Sequence, residues 1–161
     1  MKLDQQIIDF INKHHLLTLA TSKGNIPYCC NVFYVYDAAN NQLIFSSDAK
    51  TKHAQDFTLN PNVAGSIALE TKEVTKIQGV QLLGGITELK GEDLKAAKKQ
   101  YLQAFSYARL METHLWAMRL TFIKMTNNRV WKEISLGKVI LYHCTSQIAL
   151  FDDCLNPLPF L

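Results

Sequence analysis

Cysteine is sparse: four in 161 residues, and Cys29, Cys30, Cys144 and Cys154 lack the density or spacing of a secreted disulfide scaffold. Neighbours on a strand point to opposite faces, so Cys29 and Cys30 cannot converge on one zinc ion as a Cys-x-x-Cys pair can. Reduced thiols and no metal are the expectation. No apolar run approaches the ~20 residues needed to span a bilayer. Met1-Lys2-Leu3-Asp4-Gln5-Gln6 turns polar where a signal peptide needs its apolar region, so the chain reads as cytoplasmic with no membrane partner. No dense Lys/Arg tract appears, and 17 basic residues against 14 acidic leave only +3, too mild to argue for nucleic acid. Internal repeats, low-complexity linkers, catalytic triads and carboxylate pairs are also missing.

What is present suffices for one domain: 48% of the residues are hydrophobic, and a chain this long buries roughly two-thirds of its unfolded surface. Leu3, Ile7, Ile8 and Ile11 recur at helical spacing, predicting an amphipathic first helix. Leu16 to Thr21 reads as a strand, Ser22-Lys23-Gly24-Asn25 as a turn, and Tyr28 to Asp37 as a strand buried on both sides. Ala38 to Asn41 turns the chain back into Gln42 to Ser46. Ala54 to Leu59 allows a short helix stopped by Asn60-Pro61-Asn62, and Val63 to Leu69 resumes in extended form. Ile77 to Leu89 is long for a strand, and Gly84-Gly85 in its middle predicts a bulge or corner that lets the sheet close into a barrel. A second amphipathic helix is expected from Glu92 to about Arg109. Met118 to Met125 and a segment around Val130, Trp131 and Ile134 then form a last hairpin about Asn127-Asn128. The order favours a mainly β, antiparallel, Greek-key-like barrel with flanking helices, a single domain over 1–141 and a tail over 142–161 with no compelling element beyond Ile148 to Phe151.

Chemistry concentrates in Ser46-Ser47-Asp48-Ala49-Lys50-Thr51-Lys52-His53. Hydroxyls and paired cations at a strand end, just before a short helix, suit a phosphate held by side chains and free backbone N–H groups together. Taken singly, Lys50 and Lys52 read as solvated loop charges, Ser46 and Ser47 as a strand end, and His53 as a residue packed on the sheet. Ligation of haem or proton transfer by His53 is the alternative. Tyr34 and Tyr36 read as packing residues, and at least one of Trp116 and Trp131 as core.

Leu17-Thr18-Leu19-Ala20-Thr21, Asn25-Ile26-Pro27-Tyr28, Leu43-Ile44-Phe45-Ser46-Ser47, Lys50-Thr51-Lys52-His53, Asn60-Pro61-Asn62-Val63-Ala64 and Val80 to Leu89 together resemble the FMN-binding split barrels of the pyridoxamine-phosphate-oxidase-like superfamily. The resemblance covers roughly residues 15 to 90 and extends to the hairpin around Leu120 to Lys138. It implies a homodimer with FMN in two interfacial grooves. Carried over, Lys52 looks like the main phosphate cation, Thr51 and Lys50 its neighbours, and Ser46 and Ser47 further donors. Asn31 and Val32 lie on the strand that runs along the flavin ring, and Gln81 is a candidate contact at its edge. Arg129-Val130-Trp131 stands where true pyridoxamine-phosphate oxidases carry Arg-x-His, and Gly79 where they carry a flavin-contacting Gln, so vitamin B6 oxidation is not implied. The expected function is flavin-dependent oxidoreduction of a small molecule, with a nicotinamide donor possible. The alternatives are a non-catalytic FMN- or haem-binding module and an interaction domain with a vestigial groove.

Overall fold

Runs of strands separated by single helices, as the hydrophobic pattern requires, build this computed structural model, which describes residues 3–110, 114–128 and 140–143. Helix α1, Gln5–Lys13, starts where the Asp4 carboxylate accepts from the Gln6 N–H, and it buries Ile7, Phe10 and Ile11. Strands β1, Leu16–Lys23, and β2, Ile26–Asp37, are joined by Gly24 and Asn25. Both have positive φ (55° and 63°), the geometry that suits a two-residue hairpin to the twist of its strands. Strand β3 is Gln42–Ser47, helix α2 Lys52–Leu59, strand β4 Asn62–Ala68 and strand β5 Gln78–Glu88. Helix α3, Gly91–Ala104, leads through a 3-10 turn at Ser106–Leu110 towards β6, His114–Asn127, and β7 is Ile140–His143.

All pairings are antiparallel. The sheet runs β3-β2-β1-β4-β5-β6, and β3 closes on β6 to make a barrel. Strand β4 returns beside β1, giving the spatial order 4-1-2-3 of a Greek key. The first half of β6 pairs with β3 through Gln42↔Arg119 to Ser47↔His114, and its second half pairs with β7 through Phe122↔His143 to Met125↔Ile140. The mainly β, antiparallel barrel with flanking helices read from sequence is therefore the observed architecture. Leu17, Leu19, Tyr34, Leu43, Phe45, Ile67, Leu82 and Met118 fill the interior together with Phe57 of α2. A second cluster outside the barrel, Ile44, Ala97, Tyr101, Phe105 and Leu115, seats α3.

The bend expected at Gly84-Gly85 is a register shift between Leu83 and Gly84, with Leu83 opposite Phe122 and Gly84 opposite Leu120. Tyr34 and Tyr36 are core residues, their hydroxyls donating to the Ile11 carbonyl (2.7 Å) and to Asn41 Oδ1 (3.0 Å). Trp116 is also core.

Several boundaries differ from the sequence reading. Helix α2 begins at Lys52 rather than Ala54, because Thr51 caps it. Helix α3 ends at Ala104, not near Arg109. Strand β6 begins at His114 rather than Met118: Leu115, Trp116, Ala117 and Met118 are all buried, so the alternation that marks a half-buried strand is missing there. Strand β7 crosses the boundary drawn at 141/142. The hairpin residues Val130, Trp131 and Ile134, the Arg129-Val130-Trp131 stretch and Ile148 to Phe151 lie outside the described residues.

Candidate functional site

Strand β3 ends at Ser47, and the chain must then turn from the barrel wall into α2. Thr51 makes that turn. Its hydroxyl donates to the Asp48 carbonyl (2.8 Å) and accepts from the Ala54 N–H (3.4 Å), a side-chain cap at the helix start. The N–H groups that precede that of Ala54, those of Lys52 and His53, lie in the first turn, where no intrahelical acceptor exists, and leave a partial positive charge at this end, while the Gln55 N–H already donates to the Thr51 carbonyl at 3.0 Å. The Ser47 hydroxyl lies 3.2 Å from Thr51 Oγ1, and the Ser47 carbonyl is fixed by Trp116 Nε1 at 3.0 Å. His53 completes the cluster: its Nε2 is 2.6 Å from Ser47 Oγ and 3.1 Å from Thr51 Oγ1. Burial holds the imidazole below its ordinary pKa, and the charge of Asp56 opposes that shift only in part.

These groups line a cleft of about 320 Å³ whose walls also include Asn31, Val32 and Phe33 of β2, Ser46, Asp48, and Tyr101, Tyr107 and Ala108 from the α3 region. Five residues singled out from sequence therefore converge here: Asn31, Val32, Ser46, Ser47 and Thr51. The Asp48 carboxylate, the one acid on the wall, accepts from the Lys50 N–H at 2.8 Å. Burial pushes the Tyr101 phenol up to about 12, with Tyr107 adding to the shift, so it stays protonated as a donor at neutral pH.

Three expected residues are not on this wall. Lys52, read as the main phosphate cation, points elsewhere: its Nζ is 2.6 Å from Asp56 Oδ2 and lies over the Tyr28 ring, 5.2 Å from the centroid. One turn along a helix brings residues i and i+4 to the same face, and that face is turned to β1, where Thr21 Oγ1 also donates to Asp56 at 3.3 Å. Lys50 is exposed on the loop outside the lining. Gln81 is exposed on β5, in a cross-strand row formed by Asn31↔Thr18, Thr18↔Ser66 and Ser66↔Gln81. Three strand spacings put it about 14 Å from Asn31 along the sheet. His53, read from sequence as packed on the sheet with ligation or proton transfer as the alternative, lines the cleft beside the five that converge there.

Other ionisable groups are occupied elsewhere. His114 Nδ1 is 3.1 Å from Glu88, which also pairs with Lys90 at 2.9 Å. The Cys30 thiol is pushed up to about 11 by burial and by Cys29, which makes it a poor nucleophile. Among the described residues no His, Cys, Asp and Glu side chains group as a metal site, and no helix is long and apolar enough to cross a membrane.

No family model matches the chain. Its fold, a split barrel, is shared by solved structures that include a putative pyridoxamine 5'-phosphate oxidase of Listeria innocua. The chain superposes on a haem-binding protein of Mycobacterium smegmatis with a TM-score of 0.70 at 16% identity, covering 89% of this chain and 60% of that one. Against an FAD-binding protein of Mesorhizobium loti the score is 0.60 at 18% identity, covering 75% and 92%. At such identities the likeness establishes the fold alone. In sequence, the chain is 38% identical over 122 residues to a UPF0306 protein of Yersinia enterocolitica, covering 76% of this chain and 83% of that protein. The chain belongs to the UPF0306 family.

Proposed function

We propose that the protein binds FMN, with the phosphate at the Ser47, Thr51 and His53 cluster and the flavin ring along Asn31 and Val32, and acts as a flavin-dependent oxidoreductase. The observation that carries this reading is the convergence, at the start of α2, of two hydroxyls and an imidazole on one cleft. That donor set fits a phosphate monoester. Ser46 lines the same cleft, and Lys50 stands on the adjoining loop outside its lining. Bound flavin supplies hydride chemistry itself; the chain's part is to hold it, orient it and exclude water. The lack of an acid–base pair is consistent with that division of labour. A nicotinamide nucleotide is the natural donor to test, with a small-molecule acceptor.

A homodimer belongs to the same reading. The cleft is at the low end of the roughly 300–1,000 Å³ typical of small-molecule sites, so the flat ring would emerge onto the outer face of β2 and β1. That face carries the cross-strand pair Leu16 and Phe33, each 48% exposed, and Leu83 at 49%. A second copy would cover both ring and apolar surface. Haem is the weaker occupant, because His53 Nε2, the atom that would bind iron, is spent on two hydroxyls.

The test is titration of the purified full-length chain with FMN and with riboflavin, read by flavin fluorescence, alongside sedimentation to fix the oligomeric state. Saturable binding of FMN well ahead of riboflavin, followed by reduction of the bound flavin by NADH or NADPH, is expected. Equal affinity for the two flavins would refute the phosphate seat, and bound flavin that no nicotinamide nucleotide reduces would leave a binding module in place of an oxidoreductase.

A further inference from the structure

The cluster lacks a cation of its own, because Lys52 is held on Asp56 and Lys50 lies off the wall. It is also short of hydrogens. A hydroxyl donates one; that of Thr51 goes to the Asp48 carbonyl at 2.8 Å. Ser47 Oγ and His53 Nε2 are 2.6 Å apart: with Nδ1 the protonated nitrogen, Nε2 accepts and the Ser47 O–H is the hydrogen between them, whereas with Nε2 protonated the ring donates and the Ser47 O–H alone is left over. An arriving phosphate offers only acceptors and two negative charges. With a neutral imidazole it meets one free side-chain donor at most, the Ser47 hydroxyl in the Nε2–H tautomer, and in either tautomer no positive charge on the wall.

We propose that His53 is the cation of the anion seat and that it takes up a proton from solvent as a phosphate monoester binds, so that cofactor loading is coupled to proton uptake. This rests on the flavin-phosphate reading above. Protonation adds the missing hydrogen: Nε2–H donates to Ser47 Oγ, and the Ser47 O–H is released to turn onto a phosphate oxygen. It also places a positive charge beside the incoming anion in a part-buried site, where an ion pair counts for more than at the surface.

The groups facing the imidazole agree with a charge that appears only on loading. On its own helix, Asp56 favours the cation but is already neutralised by Lys52. From the loop, Asp48 is tied to the Lys50 N–H, and the Lys50 ammonium stands outside the lining. Across the cleft, burial keeps the Tyr101 phenol neutral at physiological pH, and Tyr107 lines the same wall. Phe57 packs on His53, Trp116 packs on Phe57, and His114 meets the ring of Trp116. Burial among these groups keeps the empty seat's histidine neutral near pH 7.

The experiment is calorimetric titration of the full chain with FMN at pH 7.5 and 8.0, in buffers of different ionisation enthalpy, with fluorescence titrations from pH 7 to 9. The ester's own second ionisation lies near pH 6, so uptake in this range reports on the protein. Wild type should absorb up to one proton per FMN, and above the pKa of the loaded histidine its affinity should fall about tenfold per pH unit. His53→Lys should bind with little dependence on pH below 9 and no uptake; His53→Gln should bind more weakly, also without uptake. An NMR titration with inorganic phosphate at pH 7.5 should move the wild-type His53 ring carbon towards its protonated shift. FMN binding without proton uptake, or uptake that persists in either variant, would overturn the coupling while leaving the flavin reading intact. Failure of wild type to bind FMN or inorganic phosphate at all would overturn both.

Discussion

The adjacent glycines of β5 should respond in opposite directions to the same methyl group. At Gly84 an added Cβ would fall inside the contact radius of the Arg119 carbonyl oxygen and 3.1 Å from Met118 Cγ. The first of these is backbone of β6, locked into a ladder with β5 on one side and β3 on the other, so it cannot swing aside as a side-chain end would. Overpacking of this kind costs about 1–3 kcal/mol, and a backbone clash belongs at the upper end. At Gly85 nothing lies within 4 Å of the same methyl, and neither glycine has positive φ. There the substitution only reduces the freedom of the unfolded chain, a gain of about 0.4–1 kcal/mol. For a domain of this size 1 kcal/mol shifts Tm by roughly 2–4 °C. Gly84→Ala should therefore melt about 6–12 °C below wild type, and Gly85→Ala slightly above it, in thermal unfolding followed by circular dichroism. Because the displaced segment of β6 leads directly into its pairing with β3, Gly84→Ala should also loosen the hydrogen bond from Trp116 to the Ser47 carbonyl, seen as a change in tryptophan emission. A Gly84→Ala protein melting within a degree of wild type, or a Gly85→Ala protein falling as far as Gly84→Ala, would refute the bulge as the barrel's corner.

Two further outcomes follow from the α2 region. Asp56 is held below the usual carboxylate range, chiefly by its hydrogen bond to Lys52 and with help from Thr21. A depressed folded pKa contributes stability that is full above the unfolded value near 3.9 and is lost as pH falls through the folded value. Asp56→Asn should therefore lose stability at pH 7 and show a flatter acid limb below about pH 4 in urea unfolding; an acid limb parallel to wild type would count against the assignment. Thr51→Ser should keep both the cap and FMN binding, whereas Thr51→Ala should lose about 0.5–2 kcal/mol of stability together with FMN affinity. Loss of stability with unchanged affinity would leave Thr51 as a cap alone.

Much of the fold was legible because β1, β2, β4 and β5 alternate or carry β-branched and aromatic runs between clear turn residues. Gly24-Asn25 and Asn60-Pro61 punctuate where the chain does turn. The start of β6 was hidden by a different geometry: Leu115 faces the α3 cluster and Trp116 the barrel interior, so both faces are apolar and the period of two disappears. Helix α3 was read too long because Phe105 continues the apolar spacing of Tyr101 although the helix has ended. Strand β7 is four residues long, too short for any periodicity.

The candidate cleft was legible in its segment and in five of its lining residues, but not in which ionisable side chain enters it. A loop with hydroxyls and cations before a short helix marks a candidate anion seat, and charge alone then selects lysine. Which side chain enters the cleft depends on the helical phase, and the phase is fixed by the cap. Once Thr51 is the cap, Lys52 is the first helical residue and shares a face with Asp56 four positions on, while His53 shares the next face with Phe57. Phe57 is core, packed on Phe45 and Trp116, so the face that carries it must turn towards the end of β3. His53 follows it there. The Lys52-Asp56 spacing was visible in the sequence from the outset, and a buried aspartate on a helix demands a partner more strongly than an exposed loop demands a cation.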